Sequence, residues 1–178
     1  MKTGPETFKL LSKNAQRVQE VLNKYNLNLD VKELPSTTKT AQNAADSIGC
    51  KVASIIKSLI FRTESNNPVL ILASGENQVA LDLVEKQLGE KLLKADAKFV
   101  KENTDFPIGG VAPVAHKIMP KHTLIDVDLS KQEERLWAAA GTPNAVFSLT
   151  FDDLVKITSG KIIPVSEKKG QITFSKNL

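Results

Sequence analysis

The length and composition of the chain are typical of one soluble domain. It has 178 residues, of which 41% are hydrophobic and 25% are charged, and no apolar stretch reaches the roughly 20 residues that a membrane span needs. The formal charge of +4 comes almost entirely from lysine, which argues against an arginine-rich reader of nucleic-acid sequence and leaves a mild attraction to polyanions. We therefore expect a single domain over residues 1–178 with no membrane partner.

The N-terminal third of the chain is predicted to form a helix, a strand and a second helix. An apolar stripe at steps of three and four residues predicts a helix that begins near Pro5 and ends around Lys24. Residues 29–34 are a predicted strand. The Ser- and Thr-rich segment that follows can cap a helix over residues 41–48, which Gly49 ends.

The rest of the chain alternates strands with short helices. Strands are predicted at residues 55–61, 69–73, 78–81, 123–127, 145–150 and 162–165. The first two of these strands form a hairpin around an Asn-Asn-Pro turn. Helices are predicted at residues 82–88, 95–103 and 131–140, and Thr150 with Asp153 has the spacing of a capping box for a last helix that Gly160 ends. Residues 172–174 fit either an edge strand or an ordered tail. The predicted class is α+β, with mixed elements around one sheet.

Cysteine and histidine are too sparse for a disulfide framework or a typical zinc site. Cys50 is the only cysteine, and His116 and His122 are the only histidines. A lone cysteine cannot cross-link the chain, and the first residues lack the apolar core of a signal peptide, so we expect a cytoplasmic protein. No metal and no other cofactor are predicted. Cys50 is expected to be a small buried residue, with a nucleophile as the alternative.

Lys57 is the most informative residue of the predicted strands. The run around it, residues 55–61, is almost entirely apolar, and a buried ammonium costs free energy unless an anionic or electron-rich group meets it. Period-two alternation places Lys57 on the face of Ile55, Leu59 and Phe61. Two interpretations stay open: the side chain snorkels to solvent at the strand end, or its ammonium lies in a pocket as part of a site.

A segment rich in glycine and proline, residues 105–113, favours the pocket. Gly109 and Gly110 allow close approach of the backbone to a ligand, and Pro113 ends the segment. His116 lies three residues further on, within reach of any pocket that the loop frames. A surface or hydrogen-bonded histidine is the alternative at that position.

Three separated parts of the chain follow one another in a recognisable order and spacing. They are TAQNAADSIG at residues 40–49 leading to IKSLIF at 56–61, GGVAPVAH at 109–116, and AAAGTPNAVF at 138–147. Together they resemble the YbaK/prolyl-tRNA synthetase-associated domain family, the aminoacyl-tRNA deacylases that edit mischarged tRNA. The resemblance covers about residues 29–165, with the N-terminal helix and the C-terminal tail as additions. It implies a mixed, partly closed barrel-like sheet surrounded by helices.

The resemblance also implies an activity and a set of site residues. In the family, the lysine that matches Lys57 lies in the substrate pocket and the loop that matches residues 109–113 supplies backbone donors. Lys57, Gly109 and Gly110 are therefore predicted to be catalytic. The predicted substrate-binding residues are Pro113, His116, Gly141, Thr142 and Asn144. A plain helix-to-strand turn is the alternative for the last three.

The implied substrate is a mischarged aminoacyl-tRNA, with tRNA-Pro as the family's commonest carrier and an aminoacyl-tRNA synthetase as a further candidate partner. Ester hydrolysis develops negative charge on the carbonyl oxygen, which a fixed ammonium and glycine N–H groups can stabilise. Water or a hydroxyl of the terminal ribose could attack, so no protein nucleophile is required. Departures from the family pattern at Lys39, Gln42 and Ala115 leave the amino-acid specificity open.

Two other functional classes remain. One is a non-catalytic module of the same fold that captures an amino-acid-like ligand or serves a synthetase. The other, a general nucleic-acid-binding protein, is disfavoured because aromatic residues do not alternate with basic ones. Several lysines could contact phosphates as one basic stripe or form an ordinary solvated helix face; these are Lys91, Lys94, Lys98 and Lys101.

Overall fold

The described part of the chain forms one mixed eight-stranded sheet with helices packed on it. The computed structural model describes residues 10–35, 38 and 40–167. The strands of this part are β1 Lys32–Glu33, β2 Ile55–Thr63, β3 Pro68–Ser74, β4 Leu92–Lys94, β5 His122–Asp126, β6 Leu136–Ala139, β7 Ala145–Leu149 and β8 Lys161–Ile163. Its α-helices are α1 Lys13–Asn23, α2 Ala41–Ile48, α3 Leu81–Leu88, α4 Ala97–Thr104 and α5 Phe151–Thr158, and two 3-10 helices span Val52–Ser54 and Val127–Lys131.

The strand order of the sheet is β1-β7-β6-β2-β3-β5-β8, and β4 pairs with β2 beside this path. Strands β2 and β3 form an antiparallel hairpin, whereas β2 with β6, β3 with β5 and β5 with β8 are parallel. The predicted mixed α/β class is confirmed. The sheet is not closed, since β1 and β8 lie at its two ends.

Strand β3 lies at the centre of the fold and is buried along its whole length. On one face, Leu70 and Leu72 belong to a large apolar cluster that also contains buried residues of α1, α4 and α5. On the other face, Val69 and Ile71 pack in a second cluster with Val84 of α3. A strand that is covered on both faces has a continuous apolar sequence, which explains why the strand at these residues could be predicted from the sequence.

Strand β2 has two different neighbours along one of its edges. Its other edge pairs with β3 from Ile56 to Arg62. On the edge away from β3, β6 pairs only with Ile55 and Ile56, and β4 pairs only from Phe61 onward. Residues 57–60 therefore lie in a gap between two short strands.

Several local predictions are confirmed by the structure. Helix α2 begins after Thr40, whose side chain accepts a hydrogen bond from the Asn43 N–H, and Gly49 ends it. Thr150 and Asp153 form the predicted capping box at the start of α5. The cap at the other end of α5 is Ser159 rather than the following glycine. These features depend on contacts within a few residues, which a sequence pattern can encode directly.

Three predicted elements are wrong in place or in type. Helix α1 begins at Lys13, not near Pro5: residues 10–12 are not helical, and residues 1–9 lie outside the described part. Leu11 of the predicted stripe is partly buried against the core from a non-helical position, and Leu10 beside it is 84% exposed. Residues 78–80 form no strand, and α3 begins directly after them.

The predicted helix over residues 131–140 is the clearest error of type. Lys131 ends a 3-10 helix, and residues 136–139 form β6, in which burial alternates from residue to residue. Alanine favours a helix locally, but pairing with β2 on one side and β7 on the other outweighs that preference. Strand β4 was not expected from the sequence, and the segment at residues 172–174 lies outside the described part.

Candidate functional site

A cavity of about 830 Å³ opens at the gap in the edge of β2. Its walls come from α2, β2, the ends of β4 and β6, and the loop at residues 108–111. This volume lies in the usual range for small-molecule sites, about 300–1,000 Å³. Most of the lining is apolar, and its polar or charged side chains are Thr38, Thr40, Gln42, Lys57, Ser58 and Lys94.

Lys57 is the half-buried cation on the wall of this cavity. Its Nζ donates a hydrogen bond to the backbone oxygen of Asn77, in the loop after β3. Burial lowers the pKa of Lys57 below its usual value of 10.5, and the negative charge of Asp126 opposes this shift. An ammonium has three N–H donors, so the bond to Asn77 leaves donors for a ligand.

A buried carboxylate holds the loop that receives the Lys57 ammonium. The side-chain nitrogen of Asn77 donates to Oδ2 of Asp126 and to Oδ2 of Asp128, each at 2.8 Å. Asp126 is 1% exposed and also accepts the backbone N–H of Ser74 at 3.1 Å. Asn77 thus links Lys57 to two carboxylates at the end of β5, which fixes the position of the carbonyl that the ammonium contacts.

Sequence reasoning missed Asn77 and Asp126. An Asp-Val-Asp sequence directly after the apolar end of β5 was a usable signal, because a carboxylate beside a buried strand needs partners. The partner in the loop after β3 could not be read from the pattern, because 49 positions separate Asn77 from Asp126.

The two glycines of the predicted loop have different positions in the site. Gly109 lines the cavity and has a φ of +84°. Gly110 is buried and donates its N–H to the backbone oxygen of Pro107 at 3.0 Å. A Cβ at Gly110 would lie 2.8 Å from the backbone of Thr142. Gly109 is therefore the glycine that faces the cavity, and Gly110 lets the loop pack on the turn after β6.

Pro113 and His116 are not among the residues that line the cavity. Pro113 is buried, and His116 is half-buried with its Nε2 2.6 Å from the backbone oxygen of Ala112. The ring of His116 meets Phe106 edge to face at 6.1 Å. His116 thus lies behind the loop at residues 105–113, called the glycine loop below, and connects its two ends through Phe106 and Ala112.

Arg17 of α1 clamps the start of the same loop. Its guanidinium lies 4.3 Å from the centre of the Phe106 ring, forms an ion pair with Asp105 at 2.6 Å, and donates to the backbone oxygen of Thr104 at 3.1 Å. Hydrogen bonds from Lys101 and Arg17 lower the pKa of Asp105 to about 2. The N-terminal helix therefore stabilises the loop from outside the cavity.

His116 is expected to make the stability of the fold sensitive to mild acid. Burial, together with the charge of Arg17, lowers the pKa of His116 below its usual 6.5, against the effect of the bond to Ala112. The folded state therefore binds this proton less readily than the unfolded state. The contribution of the neutral His116 ring to the free energy of unfolding is complete above about pH 6.5. It decreases as the pH falls through that value toward the lowered pKa. Urea unfolding of the wild type should show this decrease between about pH 7.5 and about pH 5.

The control for this prediction is His116→Gln, which keeps a donor for Ala112 but cannot titrate. Its free energy of unfolding should change less over the same pH interval. Equal pH dependence of the two proteins would contradict the assignment to His116.

The turn at residues 141–144 holds the chain together instead of presenting free side chains. Asn14 of α1 donates to the backbone oxygen of Gly141 at 3.1 Å. Thr142 donates to the Asn144 side chain at 3.0 Å, and Asn144 donates to the backbone oxygen of Leu34 at 3.2 Å. None of these three predicted site residues lines the cavity.

The turn does position one residue of the cavity wall. The backbone oxygen of Pro143 accepts both the backbone N–H of Thr38, at 2.8 Å, and its hydroxyl, at 2.6 Å. Thr38 is buried and lines the cavity. Thr38 is thereby fixed against the turn between β6 and β7.

The remaining candidates from the sequence lie away from the centre of the cavity. Cys50 is half-buried, and burial together with the charge of Glu134 raises the pKa of its thiol, which disfavours a thiolate nucleophile. Lys98 and Lys101 are exposed and form ion pairs on their own helix or at its end. Lys94 is exposed and lines the cavity.

The described residues contain no candidate for a membrane span or for a metal site. No helix in residues 10–35, 38 and 40–167 is long and apolar enough to cross a membrane. Within the same residues, no three side chains of His, Cys, Asp or Glu are grouped as a metal ion would require.

Comparison with known proteins identifies the family. The aminoacyl-tRNA editing domain matches residues 35–157, which include α2, the Lys57 strand, the glycine loop and the turn after β6. The chain belongs to the aminoacyl-tRNA editing domain family. This agrees with the resemblance found in the sequence.

Individual proteins are similar to this chain over most of its length. A crystal structure of a proposed trans-editing enzyme for prolyl tRNA synthetase is 38% identical, with a TM-score of 0.83 over 89% of this chain and 99% of that one. The hypothetical protein APE2540 is 25% identical, with a TM-score of 0.77 over 85% of this chain and 99% of its own. The uncharacterized protein YwhH of Bacillus subtilis (strain 168) is 30% identical over 138 residues, 78% of this chain and 87% of its own length.

Proposed function

We propose that the chain hydrolyses the ester bond of mischarged aminoacyl-tRNA and releases a small amino acid from tRNA-Pro. The observation that carries the proposal is the half-buried ammonium of Lys57 on the wall of an otherwise largely apolar cavity. Membership of the editing family supports the reaction class, and the similar structure of a proposed trans-editing enzyme for prolyl tRNA synthetase supports tRNA-Pro as the carrier. The activity would serve the fidelity of protein synthesis, in the cytoplasm and in association with a synthetase.

In the proposed reaction, water attacks the carbonyl carbon of the ester. The carbonyl oxygen then carries negative charge, which the Lys57 ammonium and the Gly109 N–H stabilise. The bond from the carbonyl carbon to the ribose oxygen breaks, the ribose oxygen takes the proton that the attacking water gives up, and the amino acid leaves as its acid. An aminoacyl ester is already activated, so orientation and charge stabilisation are sufficient without a protein nucleophile.

Selection of the amino acid is assigned to the apolar walls of the cavity. One methylene more or less in such a pocket changes binding by about 1–3 kcal/mol, so the site works as a size filter. A cavity of about 830 Å³ also has room for the terminal ribose next to the aminoacyl group. Lys94 at the rim is placed to meet phosphate, which predicts weaker tRNA binding as the salt concentration rises.

The test is hydrolysis of tRNA-Pro charged separately with Ala, Cys, Ser, Thr and Pro. We expect selective release of one small amino acid by the wild type and loss of that release in Lys57→Ala. Release of all five amino acids at the rate of uncatalysed ester hydrolysis, or no release of any, would contradict the proposal. In the second case, tRNA binding without turnover would indicate a non-catalytic module.

A further inference from the structure

The backbone hydrogen bonds of β2 show which of its residues face the open edge. The N–H of Gly75 donates to the oxygen of Ile55 at 2.8 Å, and the N–H of Thr63 donates to the oxygen of Asn67 at 3.0 Å. Both bonds lie on the side of β3. Because the backbone groups of successive residues in a strand point to opposite edges, the odd-numbered residues of β2 bond to β3 and the even-numbered ones face the other edge.

Two of these even-numbered residues have no strand opposite them. Ile56 lies in register with β6 and Arg62 lies in register with β4. Ser58 and Ile60, between them, pair on this edge with no strand in the part of the chain that the structure describes. Both residues line the cavity. Each therefore presents one N–H donor and one C=O acceptor toward it.

A single residue in extended conformation matches such an edge. Its own amino N–H and carbonyl oxygen pair with the C=O and the N–H of one edge residue, as in an antiparallel bridge. An aminoacyl ester has this pair of groups, with an α-ammonium in place of the amide N–H. Neutral backbone groups can bind it without any further charge on the protein.

The position of the Lys57 ammonium selects one of the two edge residues. Its partner Asn77 follows Ser74, and Ser74 lies opposite Ile56. The ammonium therefore lies toward the Ile55 end of β2. An ester carbonyl that accepts a hydrogen bond from the Ser58 N–H is therefore closer to the Lys57 ammonium than one that accepts from the Ile60 N–H.

We propose that the backbone of Ser58 binds the aminoacyl group, with its C=O accepting a hydrogen bond from the α-ammonium and its N–H donating one to the ester carbonyl oxygen. This inference rests on the proposed function. It adds an oxyanion donor to Lys57 and Gly109, and it requires a free amino group on the substrate. Because backbone groups do not read the side chain, amino-acid selection is left to the cavity walls.

The test is amide hydrogen exchange of the full ¹⁵N-labelled chain, followed by NMR. The probe is 3′-alanylamino-3′-deoxyadenosine, in which an amide replaces the ester. In the free protein, the Ser58 and Ile60 amides should exchange at least about tenfold faster than those of Leu59 and Phe61, which bond to β3. On saturation with the probe, exchange at Ser58 should slow at least about tenfold while Leu59 stays unchanged.

The outcomes separate this inference from the proposed function. If the probe shifts the Gly109 amide but leaves Ser58 unprotected, or protects only Ile60, the Ser58 assignment is overturned and the deacylase proposal stands. If the probe shifts no amide of the cavity, the Ser58 assignment is overturned, whereas the deacylase proposal is decided by hydrolysis of the charged tRNA-Pro samples. Slow exchange of Ser58 in the free protein would also overturn the assignment, because its N–H would then have a partner within the chain.

A second measurement removes the donor without touching a side chain. Replacing the backbone N–H of Ser58 by an ester oxygen deletes a group that takes no part in the pairing with β3, so the ladder of β2 and β3 should persist. Deacylation kcat/KM is expected to fall about tenfold relative to the same chain made with the normal amide. An unchanged kcat/KM would overturn the donor role.

Discussion

Replacing Lys57 with alanine is expected to lower kcat/KM for deacylation by about 100- to 1,000-fold, the range typical of losing one donor to a developing oxyanion. The fold should persist, because the ammonium is partly desolvated in the native state and its burial lowers its pKa. Removing a desolvated charge removes that cost. The measurement is single-turnover hydrolysis of mischarged tRNA, with thermal unfolding as the check on folding.

One further variant and the pH dependence of the wild type separate the charge of Lys57 from its shape. Lys57→Met keeps most of the stem and should be about as inactive as the alanine variant. In the wild type, activity corrected for uncatalysed hydrolysis should fall as the pH rises through the lowered pKa of Lys57, since only the charged form stabilises the oxyanion. An active methionine variant would show that Lys57 acts by packing, and the catalytic assignment would fail.

Replacing Gly110 with alanine is expected to disrupt the loop beside the cavity. The new Cβ would lie 2.8 Å from the backbone of Thr142, and a backbone neighbour cannot move aside as a flexible side chain can. Such overpacking costs roughly 1–3 kcal/mol of unfolding free energy. A displacement of about 1 Å at Gly109 would also lower kcat/KM by about 100-fold. Urea unfolding and single-turnover hydrolysis measure the two effects.

Gly89→Ala is the matched control for this variant. Gly89 has a φ of +70° and open space around its Cα, and it lies at the end of α3, outside the cavity lining. It should lose only the roughly 1–2 kcal/mol that a side chain pays in the left-handed region, with no loss of kcat/KM. If Gly110→Ala kept full activity, close packing of the loop on Thr142 would not be needed for the site.

The helix caps and the β2–β3 hairpin could be predicted because their signals are local. Thr40 and Gly49 bound α2 through contacts within one turn, and the apolar run of β3 needs no knowledge of its partners. Lys57 was identifiable for the same reason, since a charge in an apolar strand conflicts with burial whatever surrounds it. The errors occur where long-range strand pairing determines the secondary structure. Residues 136–139, for example, pair with two strands instead of forming a helix.

The candidate site divides in the same way. The sequence by itself determined that Lys57 lies on a strand and Gly109 in a loop, and its motifs indicated the editing family. Only the tertiary structure decided that Asn77 meets the ammonium while Asp126 holds Asn77, that His116 and Asn144 support the fold from outside the cavity, and that Ser58 faces an open edge. The physical reason is that local patterns encode backbone preference and the buried face of each element, whereas the choice of partner depends on the free energy of contacts between distant segments.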